Sequence, residues 1–397
     1  MIQRLAIVFP NPSSTSETFI QAHIDHLPFE TRLLYGGWFP YYTDGNKILS
    51  PTPGLIKRGL DKLGRYFTRR TVADHRRKSN ERSLFRFLRN HRIDAVLAEY
   101  APTGEAIADV CDAANIPFIV HFHGFDAYHL ETLATYRRYE RLFRMASGLV
   151  VVSRDMKRQL EELGAPPSKV YYNPYGVNVQ KFSPNPVKVV EPVFFFVGRF
   201  VNKKAPQLLI LAFDKVRKVV PEAKLILGGD GGAGRVGELY TACRQMVQAM
   251  KLSDSVTFLG PLSPAQVSEG MKSALAYVQH SLTAEDGDSE GLPNAILEAC
   301  ASGLPVISTR HAGIPDVIED GKNGYLVPEG DVDAMAERMI RLARDPELAR
   351  TMGAEGRNLI VRNFSMEKAI AGLRDVIVQA CDPTAVRIEH KATAPIT

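Results

Sequence analysis

Short apolar runs alternate with longer stretches of helical periodicity along nearly the whole chain, and this alternation restricts the fold more than any other feature. Residues 5–9, 31–35, 95–98, 118–122, 148–152 and 170–172 read as one series of strands, and 193–197, 224–228, 256–259, 274–279, 306–308 and 324–327 as a second. Strands spaced by helices pair in parallel, because a crossover helix returns the chain to the same end of the sheet. An α/β fold with two Rossmann-like, doubly wound domains is therefore predicted. A chain of 397 residues suffices for two such cores. Between the series, 173–192 is rich in Pro, Asn and Val without a period and reads as a linker, so the expected domains are 1–180 and 181–365. Residues 366–381 read as a closing helix, and 382–397, with no apolar pattern, as a mobile tail. Doubly wound sheets hold ligands beyond the carboxyl ends of their strands, which puts the expected site in the cleft between two facing domains.

The segment Glu290-Gly-Leu-Pro-Asn-Ala-Ile-Leu-Glu298, closed by Gly303, joins two carboxylates, a glycine–proline turn and a helix start. Pro293 suits the first helical position, where a missing N–H costs nothing, and Gly303 suits the helix end. Free N–H groups and the positive dipole end around Gly291, Leu292, Pro293 and Asn294 would attract a diphosphate. Glu290 in the preceding loop and Glu298 within the helix can each accept paired hydrogen bonds from vicinal hydroxyls on either side of that anion. One carboxylate would hold a transferred sugar and the other a ribose.

This Glu-x7-Glu spacing resembles the motif of retaining glycosyltransferases of the GT-B fold, in particular family 4, the glycosyl transferases group 1. Gly198-Arg-Phe-Val-Asn-Lys-Lys204 is similar to that family's Gly-Arg-Leu-x3-Lys turn, whose Arg and Lys neutralise the donor diphosphate; Ala205 departs from the usual glycine at the next position. His123-Gly-Phe-Asp126, Val151-Val-Ser-Arg154, Asn173-Pro-Tyr-Gly-Val-Asn178, Gly229-Asp-Gly231, Phe258-Leu-Gly260 and Asp320-Gly-Lys-Asn-Gly324 also follow the family's order. The resemblance implies an acceptor-binding domain over 1–180, a nucleotide-sugar-binding domain over 181–365, and a helix at 366–381 that crosses back to the first domain. It implies catalytic roles for His123, Arg199, Lys204 (with Lys203 as its alternative) and Glu290. His123 would contact the sugar near its anomeric carbon through a ring N–H or its backbone carbonyl. Donor-binding positions carried over are Gly229, Asp230, Gly231, Gly260, Leu262, Gly291, Leu292, Pro293, Asn294 and Glu298. The acceptor loop would use Ser14, Thr15, Ser16 and Asp126, the last orienting its own turn.

The reaction so implied is retaining transfer of a hexose from a nucleoside-diphosphate sugar, UDP ahead of GDP, to a glycan or lipid-linked acceptor. Fixed cations would stabilise charge growing on the leaving diphosphate, so no metal and no cofactor is expected. The insertion 283–289, with Asp286-Gly-Asp288, reads as a cleft-edge loop rather than a metal site. Together with Ser16-Glu-Thr-Phe-Ile20 it resembles a bacterial exopolysaccharide and lipopolysaccharide subgroup, which implies cell-surface polysaccharide synthesis. A sugar-nucleotide epimerase of the same architecture and a non-catalytic membrane-associated scaffold are the alternatives. A dehydrogenase is disfavoured, since no Gly-x-Gly-x-x-Gly follows the first strand.

Of the net charge of +5, residues 1–180 carry +6. Thirteen basic and three acidic residues fall between 57 and 92, interleaved with Leu60, Leu63, Tyr66, Phe67, Leu84, Phe85 and Leu88. Such an amphipathic basic stretch is expected to meet an anionic membrane surface or an anionic acceptor. No nucleic-acid module is recognisable, so nucleic acid is not an expected partner. The cysteines Cys111, Cys243, Cys300 and Cys381 lack metal-ligand spacing and read as buried free thiols in a reducing compartment. The run 5–9 is broken by Pro10 and is too short for a signal peptide or a span. A cytoplasmic protein, peripheral on the inner face of the membrane, is expected.

Overall fold

The computed structural model describes residues 2–11, 17–49, 69–185, 191–229 and 235–381, without the side chains of 46, 69–76, 235 and 236. Every run read as a strand forms one. The first sheet holds β1 (Arg4–Phe9), β2 (Glu30–Tyr35), β3 (Tyr42–Thr43), β4 (Lys47–Ile48), β5 (Ala95–Glu99), β6 (Phe118–His121), β7 (Gly148–Val151) and β8 (Val170–Tyr172), in the order β4-β3-β2-β1-β5-β6-β7-β8. The second holds β9 (Val193–Val197), β10 (Lys224–Gly228), β11 (Val256–Gly260), β12 (Ala276–Val278), β13 (Val306–Thr309) and β14 (Gly324–Val327), in the order β11-β10-β9-β12-β13-β14. Helices cover both faces, and this double burial is why strands such as Val-Phe-Phe-Phe-Val are apolar throughout. The hairpin β3–β4 was not foreseen. It is antiparallel and each strand has two residues, too few to carry a period.

Chain direction across the sheet reverses between β1 and β5 in the first domain and between β9 and β12 in the second. At such switch points the loops part and leave a crevice at the carboxyl ends of the strands. The helix Met366–Cys381 lies on the first sheet, packing Leu373, Val376 and Ile377 with Ile7, Leu97, Ile119 and Val150. The stretch read as a linker is not a free tether in its described part. Tyr175, Val177 and Phe182 are buried, Val177 bridges Ser365, and Arg357 donates to the carbonyls of Val179 (2.8 Å), Phe182 (2.7 Å) and Ala301 (2.5 Å).

Much of the basic stretch 57–92 lies outside the described residues. In its later part the helix Arg69–Asn90 turns Leu84, Phe87 and Leu88 into the core, so those apolar groups cover the sheet, while Phe85 stays exposed. Arg77 pairs with Glu81 (2.7 Å) and Asp109 (3.4 Å). The tail 382–397 also lies outside the described residues. All four cysteines are free thiols; Cys111, Cys243 and Cys300 are buried, and Cys381 is half-buried. Among the described residues no helix is long and apolar enough to cross a membrane.

Candidate active site

The ends of β9, β10 and β11 are stitched together by backbone. Gly198 N donates to the Gly228 carbonyl (3.1 Å), and Gly229 N donates to that of Gly260 (2.8 Å). At Gly229, with φ of +132°, a Cβ would fall on the Gly198 carbonyl oxygen, so only glycine lets these strand ends close up. Leu262 packs on Gly228. Asp230 and Gly231 lie outside the described residues, as do Ser14, Thr15 and Ser16.

After β9 the chain makes one tight turn over Asn202–Lys204 and passes through Ala205 at φ +36°. That left-handed conformation costs nothing for glycine and strains alanine. The turn gives neighbouring lysines different partners. Lys204 Nζ lies 2.8 Å from Glu290 Oε1 as an ion pair, whereas the buried Lys203 reaches Asp288 Oδ1 (2.9 Å) and donates to the Ser289 carbonyl (2.9 Å). Arg199 is exposed; across the cleft, burial raises the Glu17 carboxyl, and hydrogen bonds from Tyr100 and Asn11 and then the Arg199 charge only partly offset it.

Glu290 is held from behind. Its N–H donates to His311 Nε2 (3.1 Å), which fixes the proton of that ring on Nδ1, where it is donated to Glu329 Oε1 (2.7 Å). Burial pushes the Glu290 carboxyl up, but Lys204 and then Lys203 overcome it and bring the pKa to about 2. Leu292 and Pro293 are buried. The helix begins at Asn294, one residue later than expected: Pro293 is its cap, with ψ of 117°, so the missing N–H belongs to the entering loop. Gly303 follows the helix at φ +75°. Glu298, half-buried, is pushed up to about 7 by desolvation, which Lys181 only partly offsets.

The first domain comes against this loop through backbone. A Cβ at Gly124 would strike the Ser289 carbonyl and lie 2.8 Å from Gly291 N, so Gly124 is the residue that permits the contact. Asp126 accepts from the N–H groups of His123 (2.7 Å) and Ala101 (2.7 Å) and locks the turn; burial raises its pKa to about 7. The Asp286 carbonyl accepts from Leu130 N (2.9 Å), so the 283–289 insertion touches both domains. The ring of His123 is not free to reach a sugar by an N–H: Nε2 faces Glu99 Oε2 (3.1 Å) and Nδ1 meets the Tyr175 hydroxyl. Its carbonyl accepts from Ala127 N (3.3 Å). Burial lowers the His123 pKa to about 3. Glu99 and His311 escaped the sequence reading, and Tyr175 and Asp288 were noted only within motifs, without these contacts. The one available signal was a carboxylate placed directly after the apolar run that forms β5.

Two Rossmann-like domains that meet at their switch points, over a lysine–carboxylate pair and a helix start, define the GT-B architecture. Residues 179–359 match the family described as glycosyl transferases group 1, and 50–181 match glycosyltransferase family 4. The chain is 32% identical over 254 residues to the putative colanic acid biosynthesis glycosyltransferase WcaL of Escherichia coli K12, covering 62% of this chain and 61% of that one. It is 30% identical over 295 residues to the uncharacterized glycosyltransferase MJ1178 of Methanocaldococcus jannaschii, covering 73% of this chain and 76% of that one. Anabaena HepE, solved with UDP and glucose, superposes with a TM-score of 0.73 at 16% identity, over 95% of this chain and 99% of that one. This chain belongs to the glycosyl transferases group 1. It spans about six-tenths of the length of WcaL.

Proposed function

We propose that this protein transfers a hexose, with retention of configuration, from a nucleoside-diphosphate sugar to a glycan or lipid-linked acceptor in bacterial cell-surface polysaccharide synthesis. The observation that carries the reading is the Lys204–Glu290 pair at 2.8 Å, beside the backbone contact at Gly124 and followed by the helix that carries the raised Glu298. A donor would exchange that internal pairing for its own groups: diphosphate oxygens on Lys204 and Arg199, sugar hydroxyls on Glu290, ribose hydroxyls on Glu298. Cations fixed before the reaction stabilise the leaving diphosphate more than the bound donor, which raises kcat. In this reading no metal takes part at the diphosphate and no cofactor is needed.

The likeness to WcaL, named for colanic acid biosynthesis, supports an exopolysaccharide role, and HepE, solved with UDP and glucose, supports a nucleoside-diphosphate-sugar donor, for which this reading takes UDP ahead of GDP. Acceptor binding falls to the first domain, through the loop that includes Ser14, Thr15 and Ser16. The basic stretch 57–92 would hold the enzyme, as a peripheral cytoplasmic protein, against the anionic inner face of the membrane. Incubation with radiolabelled UDP- and GDP-sugars, with and without lipid-linked acceptors, tests the reading. Label should pass to the acceptor. An altered sugar nucleotide formed without acceptor would make the protein an epimerase, and binding without turnover of any donor would make it a scaffold.

A further inference from the structure

Beneath His123 lies a cluster the proposed reaction does not use. His23 from the helix Thr18–His26, Glu99 at the end of β5 and His121 at the end of β6 are 6%, 0% and 1% exposed, and each offers a ligand atom within 4.8 Å of the others. Hydrogen bonding alone does not satisfy it. Glu99 spends Oε1 on His23 Nδ1 (2.7 Å) and Oε2 on His123 Nε2 (3.1 Å), and neither ring nitrogen of the buried His121 has a hydrogen-bond partner. A buried polar atom left unmet costs about 1–3 kcal/mol, and such orphans in a folded protein point to a missing water or ion.

We propose that His23, Glu99 and His121 form a site for a divalent cation of the zinc type. Two imidazoles and one carboxylate, with a fourth position left open, are a ligand set zinc takes. Zinc bonds of about 2.0–2.1 Å set tetrahedral ligands roughly 3.4 Å apart, so the widest pair needs to close by up to about 1.4 Å. A cavity of about 10 Å³, lined by both His23 and His121 beneath the helix Met366–Cys381, has room for one water as fourth ligand. The ion takes Nδ1 of His121, which lies 3.3 Å from Glu99 Oε2, close to the spacing of two ligands on one tetrahedral zinc. Glu99 keeps its contact with His123, as ligating carboxylates usually keep an outer hydrogen bond. The ion pins three elements at the carboxyl edge of the first sheet, and the sugar transfer does not pass through it.

The test uses the full chain without a histidine tag, stripped by chelator and titrated with zinc chloride in a calorimeter. One equivalent per chain is expected, with a Tm rise of roughly 5 °C at saturating metal. Cobalt in place of zinc should give the intense visible bands of a four-coordinate ion. His23→Gln and His121→Gln should each abolish the equivalent while circular dichroism stays native. If neither variant folds, the cobalt spectrum of the wild type decides: weak six-coordinate bands mean surface binding and overturn the site. No stoichiometric uptake, or full uptake by folded variants, overturns it equally.

Discussion

Glu290 and Glu298 stand eight positions apart in one segment, and the fold gives them opposite surroundings. The loop end is crowded with cations, so burial loses to Lys204 and Lys203 and the Glu290 carboxyl falls to about 2. The helix end has only the distant Lys181, so burial wins and Glu298 rises to about 7. Burial acts on both in the same direction; the difference is whether the turn after β9 delivers a lysine. Glu290 is thus ionised and paired before any ligand arrives, whereas Glu298 keeps its proton up to about pH 7. The proposed transfer, which would release an anion and hold neutral hydroxyls, needs both conditions.

The sharpest way to break this contrast is Lys204→Ala. It removes the partner of Glu290 and one proposed diphosphate cation together, and kcat should fall by roughly 10²–10³ with the circular dichroism spectrum unchanged, the usual loss for one preorganised electrostatic group. Turnover within tenfold of wild type would mean that Glu290 owes nothing to Lys204. Glu298→Ala should act differently, because the proposed ribose contact would bind ground and transition states alike. KM for the donor should rise about 10–100-fold with kcat nearly constant. A parallel fall in kcat and kcat/KM would place Glu298 at the reacting sugar and erase the distinction.

Stability should carry the same contrast with opposite signs. Folded Glu298 keeps its proton to about pH 7, against an ordinary value of 4.5, so between those limits the native state binds more protons and stability falls as pH rises. Glu290, ionised down to about 2, contributes stability that is present above 4.5 and lost as pH falls below it. In urea titrations Glu298→Gln should flatten the limb between pH 4.5 and 7, and Glu290→Gln the acid limb, each by about 2 kcal/mol after allowance for screening and partial exposure. A limb that keeps its slope in its own variant assigns the titration to another group.

How far the sequence foretold this follows from which contacts are local. Parallel strands buried on two faces are apolar at every position, so the runs in β1 and β9 declared themselves without knowledge of their neighbours. Glu290, Pro293, Glu298 and Gly303 were readable because a loop, a cap and a helix of eight residues are local structure, though the cap fell one residue from its expected place. The His23–Glu99 pair was not, since its members are 76 positions apart and meet only because β1 and β5 are neighbours in the sheet. The same holds for Gly124 against Ser289, where the signal is the absence of a side chain between two domains.

The smallest effect should come from Lys203, which the sequence left as an alternative to Lys204. Its ammonium is buried against Asp288 and the Ser289 carbonyl, so it shapes the loop that carries Glu290 without lying on that carboxylate. It also contributes less than Lys204 to the lowered Glu290 pKa. Lys203→Met keeps the volume of the side chain, leaves Asp288 partly exposed to water, and should cost only a few-fold in kcat and about 1–3 kcal/mol in stability, the cost of unpairing a largely buried charge. Comparing it with Lys204→Ala in one assay separates loop support from charge delivery. If the methionine variant loses activity as deeply as the alanine variant while remaining as stable as the wild type, the two lysines exchange roles and Lys203 becomes the cation that meets the donor.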